Sequence, residues 1–269
     1  MWKIFSSKYI AYVHDFLFFD YPQYFTLFEN IIFRLMKPSV LKADYVLTIS
    51  KSEKIRILKH SKIHRSKISY VHHGIDERFK IYSKNDISNI KRKYHLCDEF
   101  ILFVGRLNVR KNIKTLLQAI RNAEKKIQLI VIGAKDNTVN IDQLITEYKL
   151  SDRVKKLGHI PLKDLAIIYS SAKIFVFPSF AEGFGLPPLE SMKSGVPVIT
   201  TKNTSIPEVC GDAAIYFDEN DHHDLLTKIE LLFNSEKVYE AYKDRGLSHA
   251  QKYNWDTSLK NIEQLIKKL

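Results

Sequence analysis

Cysteine is nearly absent from this chain: 269 residues carry two, Cys97 and Cys210. Two cysteines so far apart make neither a disulfide framework nor a metal-ligand spacing, and such usage belongs to a reducing compartment. No run approaches the roughly 20 apolar residues needed to span a bilayer. The aromatic stretch from Tyr9 to Phe33 is interrupted by His14, Asp15, Asp20 and Glu29, which excludes a signal peptide and a membrane span. Internal repeats and low-complexity segments are missing. So is a Gly-x-Gly-x-x-Gly turn after a strand, since Gly105 and Gly133 stand alone, and this argues against a Rossmann oxidoreductase. What is present is ordinary globular composition, 45% hydrophobic and 27% charged. At this length it suffices for one large domain or two modest ones.

Charge is unevenly placed. The formal net charge is +12, and between Lys51 and Lys93 thirteen Lys and Arg face four Asp and Glu. A basic face attracts anionic lipid, phosphorylated substrate or nucleic acid by the same electrostatics. Nothing like a nucleic-acid module accompanies it, which leaves an anionic membrane surface, a lipid-diphosphate acceptor or a plainly solvated face.

Along the chain, short apolar strands alternate with helical stretches. Residues 9–15, 45–50 and 67–74 read as strands, with helices over 23–37, ended or bent by Pro38, and from Ser50 or Ser52 to about His60. Residues 81–99 are polar and read as a linker, with a helix expected from Ile87 to Tyr94. A second and cleaner rhythm starts at Phe100, with strands expected at 100–105, 127–133, 154–159, 174–178, 196–200 and 213–217. This pattern predicts an α/β protein with two Rossmann-like, doubly wound parallel-sheet domains, the first of them incomplete. The expected division is 1–80 for the first domain, 81–99 for the linker, 100–252 for the second domain and 253–269 for a last amphipathic helix packing back on the first. In such sheets ligands bind beyond the carboxyl ends of the strands. That rule places the loops after Gly105, Gly133, His159 and Pro178 on one rim.

One stretch on that rim is rich in chemistry: Phe177-Pro-Ser-Phe-Ala-Glu-Gly-Phe-Gly-Leu-Pro-Pro-Leu-Glu190. It leaves a strand, crosses a loop with Gly183 and Gly185, and enters a helix at Pro187-Pro188, where proline suits the first helical positions. The amides of Phe184, Gly185 and Leu186 are placed to meet an anion at the helix N-terminus. Glu182 and Glu190 are positioned to face one crevice, where carboxylates accept hydrogen bonds from sugar or ribose hydroxyls. On the neighbouring loop, Arg106 and Lys111 are suited to neutralise a diphosphate, and Asn112 reads as the cap of the next helix. His72 and His73 would point to opposite faces of a strand, and His222-His223 begin a helix capped by Asp221, so no metal site is expected.

With Gly105-Arg106, Lys111, Phe177-Pro-Ser, Glu182-Gly-Phe-Gly-Leu-Pro-Pro-Leu-Glu190, Gly195-Val-Pro-Val, Thr204-Ser-Ile-Pro-Glu208 and Gly211-Asp-Ala-Ala in view, the chain resembles the retaining glycosyltransferases of family 4, which have the GT-B fold. The seven residues between Glu182 and Glu190 are the most specific element of the match. The resemblance implies that Glu182 contacts the donor-sugar hydroxyls and Glu190 the nucleotide ribose. Arg106 and Lys111, beside Gly105, would hold the diphosphate, while Gly183, Phe184, Gly185 and Leu186 cradle sugar and phosphate. His14, in Val13-His14-Asp15, either lines the cleft near the transferred sugar or is a structural strand-end residue. His73 stands where the family usually has asparagine before Gly-x-Asp. The implied donor is a nucleoside-diphosphate sugar and the acceptor a glycan or a lipid-linked acceptor, in bacterial cell-surface polysaccharide synthesis. No metal or other cofactor is implied, and the implied setting is cytoplasmic, at the inner face of the membrane.

The sequence departs from the family in one respect. Members normally carry a glycine-rich first strand and nearly 100 further residues before the Val-His-Asp strand. Three readings follow: a shortened frame, one half of a split enzyme, or a degenerate donor-binding member.

Overall fold

A computed structural model describes residues 8–124, 126–136 and 138–269. Nine strands form two parallel sheets among these residues. The first contains β1 (Ile10–Val13), β2 (Tyr45–Thr48) and β3 (Ile68–Tyr70) in that order. The second contains β4 (Phe100–Val104), β5 (Gln128–Ile132), β6 (Val154–Gly158), β7 (Ile174–Phe177), β8 (Val198–Thr201) and β9 (Ile215–Phe217). Its order is β6-β5-β4-β7-β8-β9. The reversal between β4 and β7 is the switch point of a doubly wound sheet, where the loops after two neighbouring strands diverge and leave a crevice.

Sequence explains why the second sheet is central. Phe100 to Phe103, Leu129 to Ile132 and Ile174 to Phe177 are continuous apolar runs buried on both faces, as a parallel strand between helical layers requires. One layer gathers Phe100, Leu102, Phe175 and Phe177; the opposite layer gathers Ile101, Phe103, Leu129 and Val176. The core of the first sheet is smaller, built on Val13, Phe16, Phe18, Val46, Ile57 and Ile68. It also contains ionic contacts. Glu53, fully buried, accepts from the Phe16 backbone N–H at 2.8 Å and pairs with Arg56, whose Nε reaches Asp20 at 2.9 Å.

Helix starts follow their caps. Ser50 accepts from the Glu53 backbone N–H and opens the helix Lys51–Ser61, a side-chain oxygen satisfying one of the free amides of the first turn. Thr26 and Glu29 form a reciprocal capping box at Leu27–Arg34, so the helix expected over 23–37 begins later. It breaks at Leu35, and a second helix, Met36–Lys42, takes Pro38 within its first turn, where the missing N–H has no helical partner to lose.

The stretch 81–99, expected as a linker with a helix from Ile87 to Tyr94, carries the helix Lys84–Tyr94, which starts earlier, at the Ser83 cap. Its Ile90, with Ile75 and Phe79 upstream, lies in the core of the second domain. Its polarity reflects the outward faces of a helix held by few apolar residues. The C-terminal helix Trp255–Lys267 meets the first domain: Ser258 Oγ donates to the His72 carbonyl at 2.6 Å, and the Trp255 ring lies 5.4 Å from that of His73. Gly74 permits this approach, because a Cβ there would fall 2.2 Å from the Trp255 nitrogen.

Candidate active site

Two glycines bring the loops after β4 and β5 together. Gly133 (φ +153°) lies so close to Gly105 that a Cβ there would come within 1.9 Å of the Gly105 carbonyl oxygen. Beyond Gly105 the chain makes a short turn, Val109–Lys111, capped by Asn108. Asn112 then adopts φ +52° and makes no cap bond to the next helix. Its side chain instead donates to the Glu219 carbonyl at 2.9 Å and accepts from the Thr115 hydroxyl.

The turn aims Lys111 inward. Its ammonium is buried, 2.6 Å from Glu182 Oε1, and lies 4.6 Å from the centre of the Phe177 ring. The second oxygen of Glu182 meets Arg110 at 3.0 Å, and Arg110 also donates to the Ala181 carbonyl at 2.6 Å. Ser179 donates to Glu182 Oε1. Burial works against the Glu182 carboxylate, but Lys111 and Arg110 outweigh it and keep its pKa below the ordinary value. For Lys111 burial prevails, and its pKa is lowered despite the attraction of Glu182. The backbone of the loop is equally fixed. Glu182 N–H donates to Thr204 Oγ1 at 2.8 Å, and Ser205 Oγ donates to the carbonyls of Glu182 and Phe184. A carboxylate so held keeps its remaining lone pairs in a fixed direction, which is what recognition of a polyhydroxylated ligand needs.

Gly183 and Gly185 have separate tasks. Gly183 touches the end of β1: a Cβ on it would fall 2.8 Å from the Asp15 Cβ and 3.2 Å from the His14 carbonyl oxygen, and its own carbonyl accepts from Ser50 Oγ at 2.8 Å. Gly185, at φ +121°, turns the chain into the helix Leu186–Lys193 against Ile206. Phe184 is buried, its ring against His72, His73 and Tyr253. Glu190 lies one turn into the helix, half-buried. Burial pushes its carboxyl up to about 7; the Tyr169 hydroxyl opposes this and Asp76 adds to it.

The residues singled out in the sequence are therefore partly brought together. Lys111 and Glu182 are in direct contact, with the Gly183–Leu186 loop beside them. Arg106 is elsewhere: more than half exposed, it bonds Asp136 at 2.5 Å and Glu29 at 3.3 Å. Arg110, which sequence reasoning passed over, is the cation that joins Lys111 on Glu182. Its signal was only adjacency to Lys111: the turn at 109–111 carries both cations onto Glu182, while Arg106, ahead of the turn, bonds Asp136. His14 is exposed at the end of β1, stacked on His73 with ring centres 5.5 Å apart. His73 is buried; burial, then His14 and His72, bring its pKa down to about 4, so it is neutral at pH 7. Across the cleft, Glu208 accepts from the backbone amides of Lys51 at 2.7 Å and Ser52 at 2.9 Å and from His72 Nε2 at 2.7 Å. A carboxylate of one domain thus caps a helix of the other.

The chain belongs to the family of glycosyl transferases group 1, whose model matches residues 86–249. The O-antigen chain mannosyltransferase B of Escherichia coli is 30% identical over 250 residues, covering 90% of this chain and 66% of that protein. The O-antigen chain mannosyltransferase RfbU of Salmonella typhimurium is 30% identical over 256 residues, covering 94% and 67%. The serotype-specific mannosyltransferase WbdA of Escherichia coli is 31% identical over 80% of this chain, which spans only 27% of that longer protein. In fold, the chain matches Anabaena HepE, crystallised with UDP and glucose, at a TM-score of 0.85 and 20% identity, over 97% of this chain and 71% of that one.

Proposed function

We propose that this protein transfers a hexosyl group, with retention of anomeric configuration, from a nucleoside-diphosphate sugar to a growing cell-surface glycan or lipid-linked glycan. The observation that carries the reading is the buried Lys111–Glu182–Arg110 cluster on the loop that enters the helix Leu186–Lys193. Its support is membership of the family and the mannosyltransferase names of the relatives. HepE was crystallised in complex with UDP and glucose.

In this reading Glu182 accepts hydrogen bonds from donor-sugar hydroxyls and Glu190 from the ribose. Lys111 and Arg110, with Arg106 released from its surface partners, offset charge developing on the diphosphate. The acceptor oxygen bonds to the anomeric carbon as the bond from that carbon to the β-phosphate oxygen breaks, and the acceptor's proton leaves with the diphosphate. Preorganised cations and a helix N-terminus lower such a barrier without needing a metal. The site works at an anionic membrane surface approached through the basic stretch 51–93. Part of that stretch is engaged internally, since Arg56 and Lys59 both bind Asp20.

Replacing Lys111 by alanine should lower kcat by about a hundred- to a thousandfold. Release of nucleoside diphosphate from purified protein, with UDP- and GDP-hexoses and membrane extract as acceptor, measures it. Undiminished turnover in the variant would sink the diphosphate role.

A further inference from the structure

The mouth of the cleft between the two sheets is a cavity of about 500 Å³, lined from the first domain by His14, Asp15, Tyr24 and Phe25 and from the second by Arg106 and Arg110. Three carboxylates line it, and two are already engaged, because Arg106 bonds both Asp136 and Glu29. Asp15 differs. Its single hydrogen bond among the described residues is a long one, from the Leu17 backbone N–H to Oδ1 at 3.4 Å. Its other oxygen is left with acceptor capacity at the floor of the cavity. A carboxylate in a part-buried place that lacks full hydrogen bonding carries a desolvation cost, which a hydroxyl donor would relieve.

The position of Asp15 is specific. It packs on Gly183, immediately after Glu182, so the two carboxylates sit on opposite domains and share the field of Arg110. Glu182 is bound by Lys111, Arg110 and Ser179, all from the second domain. Asp15 belongs to the first domain. The wall next to it is aromatic, with Tyr24 stacked flat on Phe180 of the second domain, ring centres 5.7 Å apart and planes 5° from parallel. Aromatic faces carry negative charge density and suit the weakly positive C–H face of a pyranose ring. A carboxylate oxygen open to a cavity of ligand size beside such a wall is the chemistry of a sugar subsite.

We infer that Asp15 is a further binding residue of this cleft, accepting a hydrogen bond from a hydroxyl of the acceptor sugar while Tyr24 and Phe25 flank its ring. The inference rests on the transfer reading and assigns the acceptor's terminal unit to the class of pyranosides. It gives the two carboxylates separate substrates: Glu182 the donor, Asp15 the acceptor.

The test uses the full chain with methyl α-mannoside as the acceptor probe and UDP or GDP as the nucleotide. Saturation-transfer NMR reads mannoside binding in the presence of nucleotide, and calorimetry reads nucleotide affinity alone. Wild-type protein should bind the mannoside. Asp15→Asn should weaken that binding by about tenfold or more, while nucleotide affinity changes by less than about twofold. Tyr24→Ala, on a different element, should also weaken mannoside binding and serves if Asp15→Asn fails to fold. Mannoside binding that is absent from the wild type, or unchanged in both variants, overturns the inference. So does an Asp15→Asn variant that loses nucleotide and mannoside affinity alike. Failure of the wild type to bind either nucleotide refutes the donor site instead, and with it the transfer reading.

Discussion

The two sheets share a parallel plan and differ in what fills them. In the second, six strands are sealed between two helical layers, and Phe100, Phe103, Phe175 and Phe177 are all fully buried. The first has three strands, a core containing the buried pair Glu53–Arg56, and Tyr9 and Tyr12 substantially exposed. Beside it, the helices Leu27–Arg34 and Met36–Lys42 leave Leu27, Phe28, Ile31, Leu35 and Leu41 more than half exposed. The difference teaches where precision is invested. The larger hydrophobic core holds the Lys111–Glu182 cluster rigidly, while the smaller domain supplies Asp15 and His14 to the same cleft and is tied to its partner by polar contacts.

That contrast is most directly broken at Arg56. Replacing it with methionine strands Glu53 in a dry site and should cost about 3–5 kcal/mol. Hydrogen exchange should then report loss of protection at β2 (45–48) with β4 (100–104) still protected; equal loss in both sheets would mean that the domains unfold as one.

The second domain is sharpened by Glu190. Its pKa is raised by burial from 4.5 to about 7, so the folded state holds this proton more tightly than the unfolded chain. Its contribution is fully present below about pH 4.5 and is lost as pH rises to about 7, by at most about 1.4 kcal/mol per pH unit. Thermal unfolding of Glu190→Gln against wild type across that window should show the slope removed. Nucleotide affinity of the wild type should rise over the same range, as the carboxylate forms.

The smallest effect is expected where the halves meet. Glu208→Gln keeps the shape but loses the charge on the first turn of Lys51–Ser61 and on His72, and should cost about 1 kcal/mol. Faster exchange of the Lys51 and Ser52 amides, with kinetics of the donor site little altered, is the expected signature; unchanged exchange would show the contact to be dispensable.

Much of this was legible beforehand. The strands of the second domain announce themselves because a strand buried on both faces has to be apolar throughout, as Ile101 to Phe103 and Leu129 to Ile132 are. Lys111 and Glu182 were legible as chemistry, with Gly183 and Gly185 marking close approach. The departures arise where a few tertiary contacts decide. Within residues 81–99 the helix was legible from Ile87 on, and its first turn was not, because the polar Ser83 cap and not an apolar residue sets its start. Arg110 joins Lys111 on Glu182 because the short turn at Val109–Lys111 brings both to it, whereas Arg106, before the turn, is held by Asp136 and Glu29. Asp15 was inconspicuous beside His14, since its place next to the Glu182 loop depends on Gly183 arriving from the other domain.

The entry to the helix Leu186–Lys193 has a consequence of its own. Pro187 and Pro188 remove two of the N–H groups that a helix start ordinarily offers. The axial dipole remains, but among the first three helical positions Leu186 alone can deliver it through a hydrogen bond. Such a turn acts as a pointer rather than a cradle: it favours one oxygen of an anion in one direction and leaves the others to neighbouring side chains.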